Sequence, residues 1–259
     1  LDVSIDSVNI MYGWYGEVDC GSPDDFLEFY DWMEQADLSQ ADQYDYAVSK
    51  IDINNFIDYY IFEMFIANRD WSNNNVRIWQ TFGGKLRWIF YDGDSCFSYP
   101  DFDVFANAVY VGNDMYPSST RSTLFFRRLY ENYGFRLRFK ERFEEMVATT
   151  LAYENTLPVY EYIKDALEGE IDNQVARFGS PPNSSSSWST YNVYMVKKFL
   201  RDRPADIIEQ LYGFLSVDET SAEEVLIYPN PADDCIYVNA EVDRKSGSAG
   251  MPRPIAYAV

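Results

Sequence analysis

Histidine is absent from this sequence. That removes Ser/His/Asp and Cys/His catalysis, imidazole-bound zinc and imidazole bases, and leaves Asp, Glu, Tyr, Lys and Cys for any proton transfer. Cysteine is scarce: Cys20, Cys96 and Cys235 show no CxxC spacing. An odd number leaves at least one thiol outside any disulfide, and a Cys20–Cys96 bridge is allowed by the sequence but not deducible from it. No apolar run reaches the ~18 residues of a membrane span, so no transmembrane helix is expected. The chain starts at Leu1 with no signal-peptide pattern. Positive charge is also short: 21 Lys and Arg stand against 42 Asp and Glu, a net charge of −21. Such a surface repels phosphate backbones, which argues against a nucleic-acid partner. It suits divalent cations or basic substrates, and equally the ordinary needs of solubility.

What is present is enough for a core. Of 259 residues, 47% are hydrophobic and 18% aromatic, which excludes a disordered chain. Residues 1–21 alternate weakly and are expected to be extended or irregular. Ser22-Pro23 before Asp24-Asp25 marks a helix start, and a second short helix is expected over about 39–49. The clearest helix covers about 53–68. Ile53, Phe56, Ile57, Tyr60, Ile61, Met64 and Phe65 fall on one stripe, with Asp52 as N-cap. Val76 and Ile78, then Leu86, Trp88 and Phe90, alternate around Gly83-Gly84 and predict a β-hairpin. Residues 93–120 read as a long loop. Helices are expected again over about 122–133 (capped by Ser122, ended near Gly134), 135–151, 157–178 and 188–215. A break falls at SPPNSSSS, 180–187, and an interruption near Arg203-Pro204. VLIYPNPADDCIYV, 225–238, predicts two short strands, with 218–224 as a linker.

The chemistry concentrates between Asn68 and Asp94. Asp70 follows the clearest helix, Asn75 lies five residues on, and Asp92 and Asp94 follow the hairpin, which folds residue 92 back toward residue 70. Phosphoryl transfer needs such a set: one carboxylate to orient or deprotonate a hydroxyl, and a carboxylate with an amide to hold Mg²⁺ or Mn²⁺ against phosphates. Asp, Asn and Ser are also common in turns for local reasons, and DGD with Asp101 and Asp103 could form a Ca²⁺ loop. Spacing alone leaves these readings open.

The run IDINNFIDYYIFEMFIANRDWSNNNVRIWQTFGGKLRWIFYDGD resembles the core of the spore-coat protein H (CotH) kinase family. Asn68, Asp70, Trp71, Asn74, Asn75, Trp79, Lys85, Arg87, Trp88, Asp92 and Asp94 match its pattern. STLFFRRLYENYGFRLRFKERFEEM, Trp188 and Arg203-Pro204 are similar to its C-terminal helices, so the resemblance spans about residues 20–215. It implies an α+β fold: a mainly helical, kinase-like C-terminal lobe whose small β-hairpin carries the active-site loops. It implies an atypical, secreted or surface-associated kinase that phosphorylates Ser or Thr of protein substrates with ATP and Mg²⁺ or Mn²⁺. Asp70 would be the catalytic residue, Asp92 and Asn75 would serve the nucleotide and metal, and Asp94 would be a further metal ligand. Ser95-Cys96 departs from the Gly that many members carry near the last Asp pair.

Residues 1–50 offer no Gly-rich loop, and Lys50 is the one Lys before the Asp70 loop. The expectation is therefore a fragment, residues 1–217, that lacks most of a nucleotide lobe and turns over ATP weakly or not at all. The segment 225–259 is similar at its start to the type IX secretion C-terminal sorting domain of Bacteroidetes and fades after Val238, which implies the type IX machinery as a partner and a short β segment at the C-terminus. The competing function is a non-catalytic extracellular adhesion or Ca²⁺-binding module that keeps the acidic loops for structure.

Overall fold

A computed structural model describes residues 4, 7–12, 17–72, 74–97, 99–111, 121–179, 182–218, 227–229 and 236–238. The chain forms two compact units, Leu1–Tyr212 and Gly213–Val259. The fold is α+β, mostly helical, with a small antiparallel sheet.

The sheet is larger than the expected hairpin. β1 (Val8–Tyr12), β2 (Val18–Cys20), β3 (Arg77–Thr81) and β4 (Arg87–Ile89) lie in the order β2-β1-β3-β4. The hairpin β3–β4 pairs Ile78 with Trp88 and turns through Gly83, whose φ of 69° suits glycine. Residues 1–21, expected to be irregular, supply β1 and β2. Their alternation is hidden because an inward position of β1 is polar: buried Asn9 lies opposite buried Gln80, next to Met11 opposite Ile78. Asn9 Oδ1 accepts from the Ser22 N–H at 2.9 Å. Gly21, at φ 79°, makes room for this contact, since a Cβ there would stand 2.1 Å from Asn9 Oδ1.

The helices are α1 (Asp24–Gln35), α2 (Ala41–Lys50), α3 (Ile53–Phe65), α4 (Phe105–Ala108), α5 (Leu124–Tyr130), α6 (Tyr133–Ala148), α7 (Tyr153–Glu168), α8 (Ile171–Phe178), the single turn α9 (Ser185–Ser187) and α10 (Met195–Asp218). Helix α3 is the central one. Its whole predicted stripe is buried, and so are Tyr59 and Glu63. Asp52 caps it as expected, accepting from Asn55 N–H at 3.3 Å, and its other oxygen pairs with Arg87 at 2.8 Å. Asn55 grips β4 like a strand: Oδ1 accepts from Trp88 N–H at 2.7 Å and Nδ2 donates to Trp88 O at 3.2 Å. Phe56 meets Trp88 edge-on at 4.6 Å, and Tyr60 stacks on Phe126 at 4.6 Å. The hairpin is thus fixed to the start of α3.

Several boundaries differ from expectation. Helix α3 stops at Phe65 rather than 68, because Ala67 turns left-handed at φ 53°. Ser122 caps no helix; its hydroxyl donates to Ser72 O, and Asn132 instead caps α6 by accepting from Phe135 N–H at 3.1 Å. Gly134 therefore lies inside α6. The helix expected over 157–178 is two, α7 and α8, parted at Gly169-Glu170. The interruption near Pro204 is not there: α10 runs through it, and the irregular stretch is a π-helical segment, Trp188–Tyr194. Tertiary contacts override the proline, because Phe199, Leu200, Arg203, Ile207 and Leu211 are all buried around it. Of the expected linker, residues 219–224 lie outside the described residues. β5 (Ile227–Pro229) pairs antiparallel with β6 (Ile236–Val238), as the two predicted strands. The Cys20–Cys96 bridge is not made, and Cys235 lies outside the described residues. Among the described residues, no helix is long and apolar enough to cross a membrane.

Arg203 explains why α10 holds its course. Its fully buried guanidinium donates to Met64 O at 2.6 Å, Phe65 O at 3.0 Å, Pro100 O at 2.5 Å and Phe102 O at 3.0 Å. Two of these carbonyls lie at the end of α3, where backbone donors run short; Met64 O also accepts from the Ala67 N–H at 3.2 Å. Arg203→Met is expected to cost at least about 3 kcal/mol, since several buried carbonyls lose their donor at once. Thermal denaturation should show a fall on the order of 10 °C. The exposed neighbour Arg201→Met should stay within about 0.5 kcal/mol of the parent. Equal melting of the two variants would remove Arg203 from its role.

Candidate functional site

The site is built on the C-terminal end of α3. After Ala67 the chain reaches Asn68, which is fully buried. Its Nδ2 donates to Glu63 Oε2 at 2.9 Å, and its Oδ1 accepts from the Asp70 N–H at 3.2 Å. Trp71 plunges into the core against Tyr60, with ring centroids 5.0 Å apart. Its carbonyl accepts from Asn107 Nδ2 at 3.2 Å, and the next residue, Ser72, donates its hydroxyl to Asn107 O at 2.8 Å. The loop is nailed down on the core side of Trp71, while Asp70 stands exposed.

A second loop follows β4 and is laced to the first. Phe97 N–H donates to Ile66 O at 2.9 Å, Arg69 N–H to Ser95 O at 3.5 Å, and Ser95 Oγ to Asp70 Oδ2 at 3.0 Å. Asn75 bridges as well: Nδ2 donates to Asp92 O at 3.5 Å, and Oδ1 accepts from the Tyr91 hydroxyl at 3.3 Å. The Arg77 guanidinium lies 3.3 Å over the Tyr12 ring and 4.8 Å from that of Tyr91, and pairs with Asp19 at 2.9 Å. Of the sequence-predicted residues, Asp70, Asn75 and Asp92 are thereby brought into one hydrogen-bonded pair of loops.

Backbone strain gathers at these loops. Ala67, Asn75, Asp92 and Phe97 are the non-glycine residues with positive φ among those described, at 53°, 59°, 60° and 59°. Asn and Asp tolerate this region, but Ala and Phe do not, at ~1–2 kcal/mol each. Such conformations persist where surrounding contacts over-determine them, and they cluster at functional sites.

Acids outnumber bases at the loops: Asp70, Asp92 and Asp94 stand with Arg69 and the paired Arg77. Burial pushes the half-buried Cys96 thiol up to about 12, and the carboxylates Glu63, Asp94, Asp70 and Asp92 add to the effect. All four acids thus act on one thiol through space, Asp94 among them. Among the described residues, no three Asp, Glu or Cys side chains group closely enough to hold a metal by themselves. The donors at hand are the Asp92 and Asp94 carboxylates and the Asn75 amide oxygen. All are oxygen, a set that fits a hard cation keeping part of its water shell.

Glu63 and Ser95 are parts of the site that sequence reasoning passed over. A signal existed for Glu63, an acid inside an apolar helix stripe. Oε1 and the Tyr59 hydroxyl are neighbours that fall short of a hydrogen bond. Burial raises Glu63 from the ordinary 4.5 to about 7, against the lowering effect of Asn68 and Tyr59. The folded chain thus keeps this proton longer than the unfolded chain. The resulting stability is full below about pH 4.5 and is lost as pH rises through about 7. Between pH 5 and 8 the unfolding free energy of the parent should fall by about 2–3 kcal/mol relative to Glu63→Gln, read from urea midpoints. A constant difference between the two would assign the pH dependence to other groups.

Residues 14–207 match the family model described as CotH kinase protein, which covers more than half of the chain. No curated protein and no solved structure matches. Paired acidic loops at the end of a buried helix are what the matched stretch contains, and the chain belongs to the CotH kinase protein family.

Proposed function

We propose that this chain carries the catalytic loops of a secreted, atypical protein kinase that transfers the γ-phosphoryl group of ATP to Ser or Thr hydroxyls of proteins. The family implies a kinase-like reaction, and with it ATP and a divalent metal in general terms. The observation that carries the finer reading is the lacing of the Asp70 loop to the Asp92 loop through Ser95 and Asn75. Two separately positioned acids are what the reaction asks of a protein: one for the acceptor, one for the phosphates.

Asp70 takes the first part. Ser95 fixes one of its carboxylate oxygens, and the other would meet the acceptor hydroxyl, orient it and take its proton. Asp92, with Asn75 and Asp94, would hold Mg²⁺ or Mn²⁺. The bound ion would neutralise charge on the phosphates. The left-handed backbone at Asn75 and Asp92 restricts the two loops, which would reduce the reorganisation needed when nucleotide and metal bind. The acidic surround favours a basic acceptor segment. Lys50 lies over the Tyr46 ring and Lys85 donates to Val48 O, so neither serves the phosphates. The strand pair β5–β6 belongs, in this reading, to a sorting segment of type IX secretion, and a chain ending at 224 would remain inside the outer membrane in cell fractionation.

Transfer of labelled phosphate from ATP to casein with Mn²⁺ should fall at least about 100-fold in Asp70→Ala and in Asp92→Ala. Undiminished transfer in Asp70→Ala would overturn its catalytic role. Strong thermal stabilisation by Ca²⁺, with none from ATP and Mn²⁺, would instead favour a Ca²⁺-binding or adhesion module.

A further inference from the structure

We propose that Glu63 is a positioning residue for Asp70: its carboxylate fixes the amide of Asn68, and Asn68 in turn holds the main chain of Asp70. The inference deepens the reading of Asp70 as the catalytic acid and rests on it.

Glu63 lies on α3 seven residues before Asp70, and it and Asn68 are fully inaccessible to solvent. A carboxylate can only accept hydrogen bonds. Its Oε2 therefore selects the Nδ2 end of the Asn68 amide, at 2.9 Å. That choice sends Oδ1 the other way, where it accepts from the Asp70 N–H at 3.2 Å. Reversed, the Asn68 amide would set an N–H₂ group against the Asp70 N–H, two donors face to face. The Asn68 N–H also donates to Glu63 O at 3.3 Å, so the residue is held at both ends. Glu63 thus fixes the tilt of the peptide entering Asp70, and the Ser95 bond to Asp70 Oδ2 needs that tilt.

The hold depends on charge. A charge-assisted bond is roughly twice as strong as a neutral one. Glu63 titrates at about 7, inside the working range of a kinase. The titratable groups facing it are Tyr59 and Tyr60 on its own helix and Cys96 from the loop after β4. All three stay protonated across that range, since each is raised by burial first. The ionised, stronger-holding form grows as pH rises, so the Asp70 loop tightens between about pH 6 and 8.

The experiment pairs two readouts on the full chain. First, ¹H–¹⁵N spectra follow the Asp70 backbone amide and the Asn68 side-chain amide from pH 5.5 to 8.5. Both should shift with one midpoint near 7 in the parent and stay still in the isosteric variant Glu63→Gln. Second, phosphate transfer from ATP and Mn²⁺ to casein is measured over the same range. Glu63→Gln should lower kcat about tenfold at pH 8 with KM for ATP unchanged, and should flatten the rise between pH 6 and 8. Asn68→Ala should lower kcat as much, and the double variant no further. An Asp70 amide that fails to titrate in the parent, or titrates alike in Glu63→Gln, overturns the proposal. So does an unchanged kcat in the variant. A parent with a titrating Asp70 amide but no transfer leaves the positioning in place and overturns the kinase reading instead. Should Glu63→Gln not fold, the parent's amide titration and Asn68→Ala decide on their own.

Discussion

One buried guanidinium closes the end of the central helix. Helices leave their last carbonyls without partners, and in water this costs little because solvent supplies the donors. Helix α3 ends inside the protein, where solvent does not reach. Arg203 supplies the donors from an element far along the chain, and with the same fork takes two carbonyls of the segment that leads to α4. Burial lowers its basicity to about 10, which still leaves it charged at neutral pH. Everything in the candidate site starts from the stub that this contact fixes: Ala67 turns off it, Asn68 anchors to it, and Phe97 N–H binds Ile66 O on it.

From that fixed stub the two acidic loops are drawn into strained conformations and tied to each other. The tie uses few atoms. Ser95 reaches Asp70, Asn75 reaches the Asp92 carbonyl, and Tyr91 steadies Asn75. Repulsion between the exposed carboxylates would push such loops apart in a chain of net charge −21. They stay together because their backbones bond to one another and Trp71 and Phe90 pin them to α3, Phe90 through Phe62 at 4.8 Å.

Much of this was legible beforehand, for identifiable reasons. The stripe from Ile53 to Phe65 announced α3, because a buried helix must be apolar at helical spacing. Gly83-Gly84 between alternating runs announced the hairpin, and Asp52 announced the cap. The strands β1 and β2 were hidden, because the inward face of β1 carries Asn9, whose partners Gln80 and Ser22 are distant in sequence. Pro204 misled, because its local cost is outweighed by contacts that Arg203 makes with residues more than 100 positions away. The positions of Asp70, Asn75 and Asp92 could be named from pattern, but the Ser95 link and the Glu63–Asn68 anchor could not. They depend on where side chains meet, not on which residues are adjacent.

The Asn9–Gln80 register has a consequence for what counts as the domain. The stretch that resembles the family begins at residue 14, yet β1, at Val8–Tyr12, lies before it and covers the edge of β3. A piece cut to the limits of family likeness would leave the hairpin with a bare strand edge and a buried glutamine facing nothing. Here the stretch that matches the family is shorter than the unit that folds together, and it is the second that the acidic loops need.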